Sequence, residues 1–112
     1  MSKTLHGTVE VKVGERTLVL KPTLKAVRFI ESRFGGLRAA SHGLHAVSVD
    51  AVTLVIAAGA GIEEEDIDLL TEEVWQHGVS HLTLAATKFL GALYNPRGGE
   101  PGKPQEPKES AP

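Results

Sequence analysis

Val9, Val11 and Val13 alternate with Glu10 and Lys12, and Leu18 and Leu20 alternate with Thr17, Val19 and Lys21. A period of two is that of a half-buried strand, so the segment from His6 to Lys21 reads as a β-hairpin. The register then selects the turn. If Gly14-Glu15 is a two-residue loop, Val11 faces Leu18 and Val9 faces Leu20, and the apolar residues share one face. A three-residue loop would put Leu18 opposite Lys12 and split the set. Gly in the first loop position also suits a type II′ turn.

After Pro22 the period changes. Leu24, Val27, Ile30 and Phe34 recur at helical spacing behind Thr23, a natural N-cap, and Gly35-Gly36 offers a left-handed end. A short helix is expected from Leu37 to His42, stopped by Gly43. Ser48 caps a third helix with Asp50 in its first turn, where a carboxylate suits the helix dipole. From Val49 to Ala58 this helix is apolar on nearly every side, which requires burial within the chain or against a partner. Gly59-Ala60-Gly61 is expected to break it. An acidic short helix follows from Glu63 to Leu70, and Thr71 is read as capping a further turn through Glu72, Glu73, Val74 and Trp75. Gly78 precedes a last helix from Val79 to about Tyr94, with Leu82, Ala85, Ala86, Phe89, Leu90 and Leu93 as its apolar stripe, ended by Asn95-Pro96.

From Arg97 to Pro112 the chain is mostly Gly, Pro, Glu and Lys, with no large apolar residue. Such a segment buries too little surface to offset its ordering entropy, so a disordered tail is expected. The organisation expected is thus a flexible start over residues 1–5, one α+β domain over 6–95 and a tail over 96–112. The domain is an N-terminal β-hairpin packed on a bundle of four or five short helices.

Composition narrows the chemistry. With Lys+Arg 12 against Asp+Glu 14, there is no basic excess to displace counterions from phosphate, which argues against nucleic acid. The helix–Gly-rich turn–helix over residues 49–70 superficially resembles a DNA-binding helix-turn-helix, but its second helix carries Glu63, Glu64, Glu65, Asp66 and Asp68 and no Lys or Arg. A count of Cys 0 excludes disulfides, thiolate metal sites and thiol catalysis. The longest apolar stretch, around Val52 to Gly61, is too short to span a bilayer, and Met1-Ser2-Lys3-Thr4 lacks the apolar run of a signal peptide, so a cytoplasmic protein is expected.

Candidate sites are few. His77 and His81 are four apart and His42 and His45 three apart, both ligand spacings. Gly78 separates the first pair into two helices, however, and the Glu of a zinc protease motif is missing. The acidic run from Glu63 to Asp68 lacks the alternating ligands and central Gly of a calcium loop and reads as a solvated helix start. No glycine cluster supplies a phosphate loop, and no nucleophile elbow surrounds Ser41, Ser48 or Ser80. No enzyme, metal or cofactor is expected on these grounds. Trp75 has two readings: a core plug, or an interface anchor of the kind that dominates binding hot spots.

The hairpin from Gly7 to Leu20 (GTVEVKVGERTLVL) and the helix carrying Thr23, Leu24, Lys25, Ala26, Phe29, Ile30, Glu31, Phe34 and Gly35 resemble a known family. The order continues alike, with an apolar helix after Ser48, the Gly-rich stretch 59–61, an acidic helix start and a last helix. From about His6 to Tyr94 the chain is similar to the gene-transfer-agent and phage tail assembly chaperones, labelled a tail tube protein family in older naming. The resemblance implies a helper that binds the long, hydrophobic tape measure protein, keeps it soluble, assists polymerisation of the tail tube protein around it, and often self-associates. It carries over no catalytic residue. The Pro-rich tail departs from the compact end expected of the family. It is also a candidate for recruiting a second partner.

The candidate partner-binding residues are Val52, Val55 and Ile56 on the apolar helix, Trp75, and Phe89 with Leu93 on the last helix. The alternative is a structural tail or tube component retained in the particle, although one hairpin is little sheet with which to close a ring. A third possibility is an enzyme or regulator with an unrecognised site.

Overall fold

The computed structural model describes residues 8–95 of the chain. Strands β1 (Val9–Val13) and β2 (Arg16–Leu20) pair antiparallel, with Val9 opposite Leu20 and Val11 opposite Leu18. The loop is therefore Gly14-Glu15, and Gly14 takes φ +66° while Glu15 stays at negative φ, as a type II′ turn requires. Val9, Val11, Val13 and Leu20 are buried on the shared face. The turn is held against the helices by an ion pair between Arg16 and Glu73 at 2.5 Å.

Helix α1 (Leu24–Phe34) begins where the Thr23 hydroxyl accepts the Ala26 N–H at 3.0 Å and ends at Gly35, φ +92°. Helix α2 spans Leu37–His45, running through Gly43 instead of stopping there. A Cβ on Gly43 would lie 2.7 Å from the Cβ of Ala51, so this glycine allows two helices to approach and does not terminate one. The real stop lies three residues on. The Ser48 N–H donates to the Gly43 carbonyl and the Val47 N–H to that of Leu44, at 3.1 and 2.9 Å, which is a Schellman ending.

Helix α3 (Val49–Ala60) is capped by the Ser48 hydroxyl, which accepts the Ala51 N–H at 3.1 Å. It also continues through a supposed break, Gly59, and ends at Gly61. A single 3-10 turn (Glu64–Asp66) leads into helix α4 (Ile67–His77). Thr71 does not cap a separate turn. It lies inside α4 and its hydroxyl donates back to the Ile67 carbonyl at 2.8 Å, a bond that leaves the helix intact. Gly78 separates α4 from helix α5 (Val79–Tyr94).

The architecture is α+β: a two-stranded hairpin followed by five helices. Helix α3 is the hub, touching α1, α2, α4, α5 and β2, which is why its sequence is apolar all round. β1 lies against α5, and β2 against α3. The expected flexible start, the beginning of the hairpin at His6 and the expected disordered tail lie outside the described residues.

Candidate functional site

Five of the six residues proposed for partner binding are part of the core. Val52, Val55 and Ile56 on α3 and Phe89 on α5 have no exposure, and Leu93 very little. The apolar character of α3 is consumed within the chain, so α3 offers no docking face. These side chains stabilise the fold by roughly 1.5–3 kcal/mol each through burial.

Trp75 stands apart. It is 65% exposed, which removes the core-plug reading. Helix geometry explains its direction. Ile67, Leu70 and Val74 form the buried stripe of α4, and Trp75 lies one residue off it, on the flank facing away from the core. Leu69, also exposed, lies on the other flank of the same outward side. At about 100° per residue the two are roughly 120° apart around the helix, with Glu72 midway between them. Glu65, Asp68, Glu72 and Gln76 form the ridge between the apolar flanks, all exposed. Of the carboxylates around α4, Glu73 is engaged by Arg16 and Glu64 by Arg33, whose guanidinium also stacks 4.9 Å from the centre of the Phe29 ring. The outward face thus presents two large apolar side chains on an acidic ground.

A second surface lies between β1 and α5. A groove of about 280 Å³ is lined by Glu10, Val11, His81, Leu84, Ala85 and Lys88. Leu84 is 75% exposed, the highest value among the large apolar side chains of the described residues. It points directly away from the stripe of Leu82, Ala86, Phe89 and Leu93. Neither Leu69 nor Leu84 was among the sequence candidates. Their signal was available: each is a leucine out of phase with the apolar stripe of its own helix.

The histidines do not converge. His77 lies under the hairpin turn, where a Cβ on Gly14 would come 2.7 Å from its Nε2, whereas His81 lines the β1–α5 groove beyond the Gly78 break. His42 and His45 are exposed in the last turn of α2, favourably placed for the helix dipole. Among the described residues no three His, Cys, Asp or Glu side chains gather into a group that could hold a metal ion. No helix of the described residues is long and apolar enough to cross a membrane. Comparison with family models, with curated proteins and with solved structures finds no match to this chain.

Proposed function

We propose that the protein is a tail assembly chaperone of a phage-like element, binding the tape measure protein in the cytoplasm and assisting tube assembly. Its likeness in hairpin, helix order and glycine placement to that family supports the reading. The observation that carries it is Trp75. A chain with Trp 1 leaves that residue in water, on a helix face shared with Leu69. Tryptophan is expensive to leave hydrated and is enriched where binding energy concentrates. An amphipathic segment of a long helical partner would cover this face, with its apolar side chains on Trp75 and Leu69 and its cations on the Asp68–Glu72 ridge.

The test is co-expression with the tape measure protein encoded nearby, followed by pull-down and a solubility assay, with Trp75→Ala alongside. A soluble, co-eluting tape measure protein that is lost with Trp75→Ala supports the reading. If the tape measure protein stays insoluble and this protein is found in purified particles, it is a structural component of the tail.

A further inference from the structure

Among the described residues the hairpin is two strands wide, so each strand has an edge with no partner strand. Register decides what lies on it. The two-residue turn makes Val13 and Arg16 a hydrogen-bonded pair, and the antiparallel ladder then alternates, so that Val11 with Leu18 and Val9 with Leu20 also bond inward. The backbone N–H and C=O groups of Glu10 and Lys12 therefore point away from β2. No backbone–backbone bond among the described residues uses them, and both side chains are exposed.

Strand edges are commonly blunted with charge to prevent pairing. Here the two charges are opposite in sign and flank Val11, in the order Val9, Glu10, Val11, Lys12, Val13. The segment is its own complement. An antiparallel copy with Val11 opposite Val11 sets Glu10 against Lys12 twice and Val9 against Val13 twice. Parity agrees as well, because the residues whose backbone groups face outward, Glu10 and Lys12, are then the ones that meet.

Leu84 is an independent observation on the same edge. It lines the groove beside Glu10 and Val11, so a two-fold axis at Val11 brings both copies of this exposed leucine under cover. The β2 edge has an exposed Val19 and a groove of its own, but no pair of opposite charges that self-pairing would match. Its end is already tied to α3, where the Lys21 N–H donates to the Gly59 carbonyl at 3.0 Å, and self-pairing there would match Thr17 with Val19.

We infer that two copies of the chain pair β1 against β1, antiparallel about Val11, giving a four-stranded sheet in the order β2–β1–β1–β2. The inference stands on the strand edge alone and does not require the tape measure protein.

Sedimentation velocity on the full chain across a concentration series tests it. The wild-type chain dimerises. Glu10→Lys sets lysine against lysine twice, and Lys12→Glu sets glutamate against glutamate twice, so each weakens the dimer about tenfold or more. The double variant Glu10→Lys with Lys12→Glu restores wild-type association, because every pair is again opposite in sign. Leu84→Ser weakens the dimer without altering the strand. Far-UV circular dichroism verifies that each variant is folded. A monomeric wild-type chain, a dimer indifferent to both single charge reversals, or a double variant as weak as the singles overturns the proposal. The second result points instead to the β2 edge, and a monomer leaves the β1 edge for an extended segment of another protein.

Discussion

A Cβ placed on Gly59 would lie 2.7 Å from the Cβ of Leu20 and 2.8 Å from the ring of Phe89. The absent side chain lets the hairpin, α3 and α5 meet at one point, and the Lys21–Gly59 backbone bond is made across it. Gly59→Ala should therefore destabilise the protein despite the better helix propensity of alanine. The propensity gain is about 1 kcal/mol, whereas overpacking a core contact costs about 1–3 kcal/mol and here has no flexible tip to displace. Gly91, inside α5 with nothing within 4 Å of its Cβ position, is the control. Gly91→Ala should stabilise by about 0.5–1 kcal/mol. Urea unfolding of both variants checks the pair, and equal effects would refute the close-approach account.

Val47 occupies the position where a Schellman ending normally has glycine. Its φ is +55°, and it is the one described non-glycine residue at positive φ. The left-handed region brings Cβ against the following carbonyl at about 1–2 kcal/mol, most severely for a β-branched side chain. Exposure of 43% leaves it little compensating burial. Val47→Gly should raise stability by about 1 kcal/mol, and Val47→Asn by somewhat less. A lower melting temperature for Val47→Gly would mean that the valine side chain holds the α2–α3 joint in a way its exposure does not reveal.

The features legible in the sequence are those whose causes are local. The hairpin register followed from alternation and loop length, and the caps at Thr23 and Ser48 followed from a hydroxyl three residues before a needy N–H. Gly43 and Gly59 look like breaks in the sequence because glycine's use in close packing depends on Ala51, Leu20 and Phe89, which are not its chain neighbours. The role of Thr71 decides more. With α4 divided there, Trp75 belongs to an isolated turn and either orientation is open. With α4 continuous, the stripe of Ile67, Leu70 and Val74 fixes the helix face and turns Trp75 outward. The choice of Val52, Val55 and Ile56 for a partner reflects the same limit, since an all-apolar helix looks alike whether its own chain or another covers it.

Among the described residues Thr53 is the one buried polar side chain in the core, and its hydroxyl has no hydrogen-bond partner. In a helix interior the usual remedy is to donate back to the carbonyl four residues earlier, as Thr71 and Thr83 do at 2.8 and 2.7 Å. Thr53→Val keeps the shape and removes the stranded hydroxyl, so it should be neutral or stabilising by about 1 kcal/mol. Thr71→Val and Thr83→Val, which delete satisfied bonds at half-buried sites, should cost up to about 1 kcal/mol. Chemical unfolding of the three valine variants orders them, and a destabilised Thr53→Val would show that its hydroxyl has a partner in solution.

Trp75 and Phe89 separate folding from binding. Both are large aromatics on helices, yet Phe89 is fully buried and Trp75 is 65% exposed. Phe89→Ala should lose about 3–5 kcal/mol of stability through the cavity it leaves. Trp75→Ala should change stability by no more than about 1 kcal/mol while weakening partner binding by about 2 kcal/mol or more, the scale of a hot-spot residue. Because Trp75 is the sole tryptophan, its emission reports on the α4 face alone. It should be water-like in the free protein, shift to the blue on adding the tape measure protein proposed as its partner, and report weaker binding as salt screens the Asp68–Glu72 ridge. Substituting Leu69 should give the same pattern more weakly. A partner that binds with full affinity while Trp75 emission stays red would place the interface elsewhere and leave the exposed tryptophan without a role in binding.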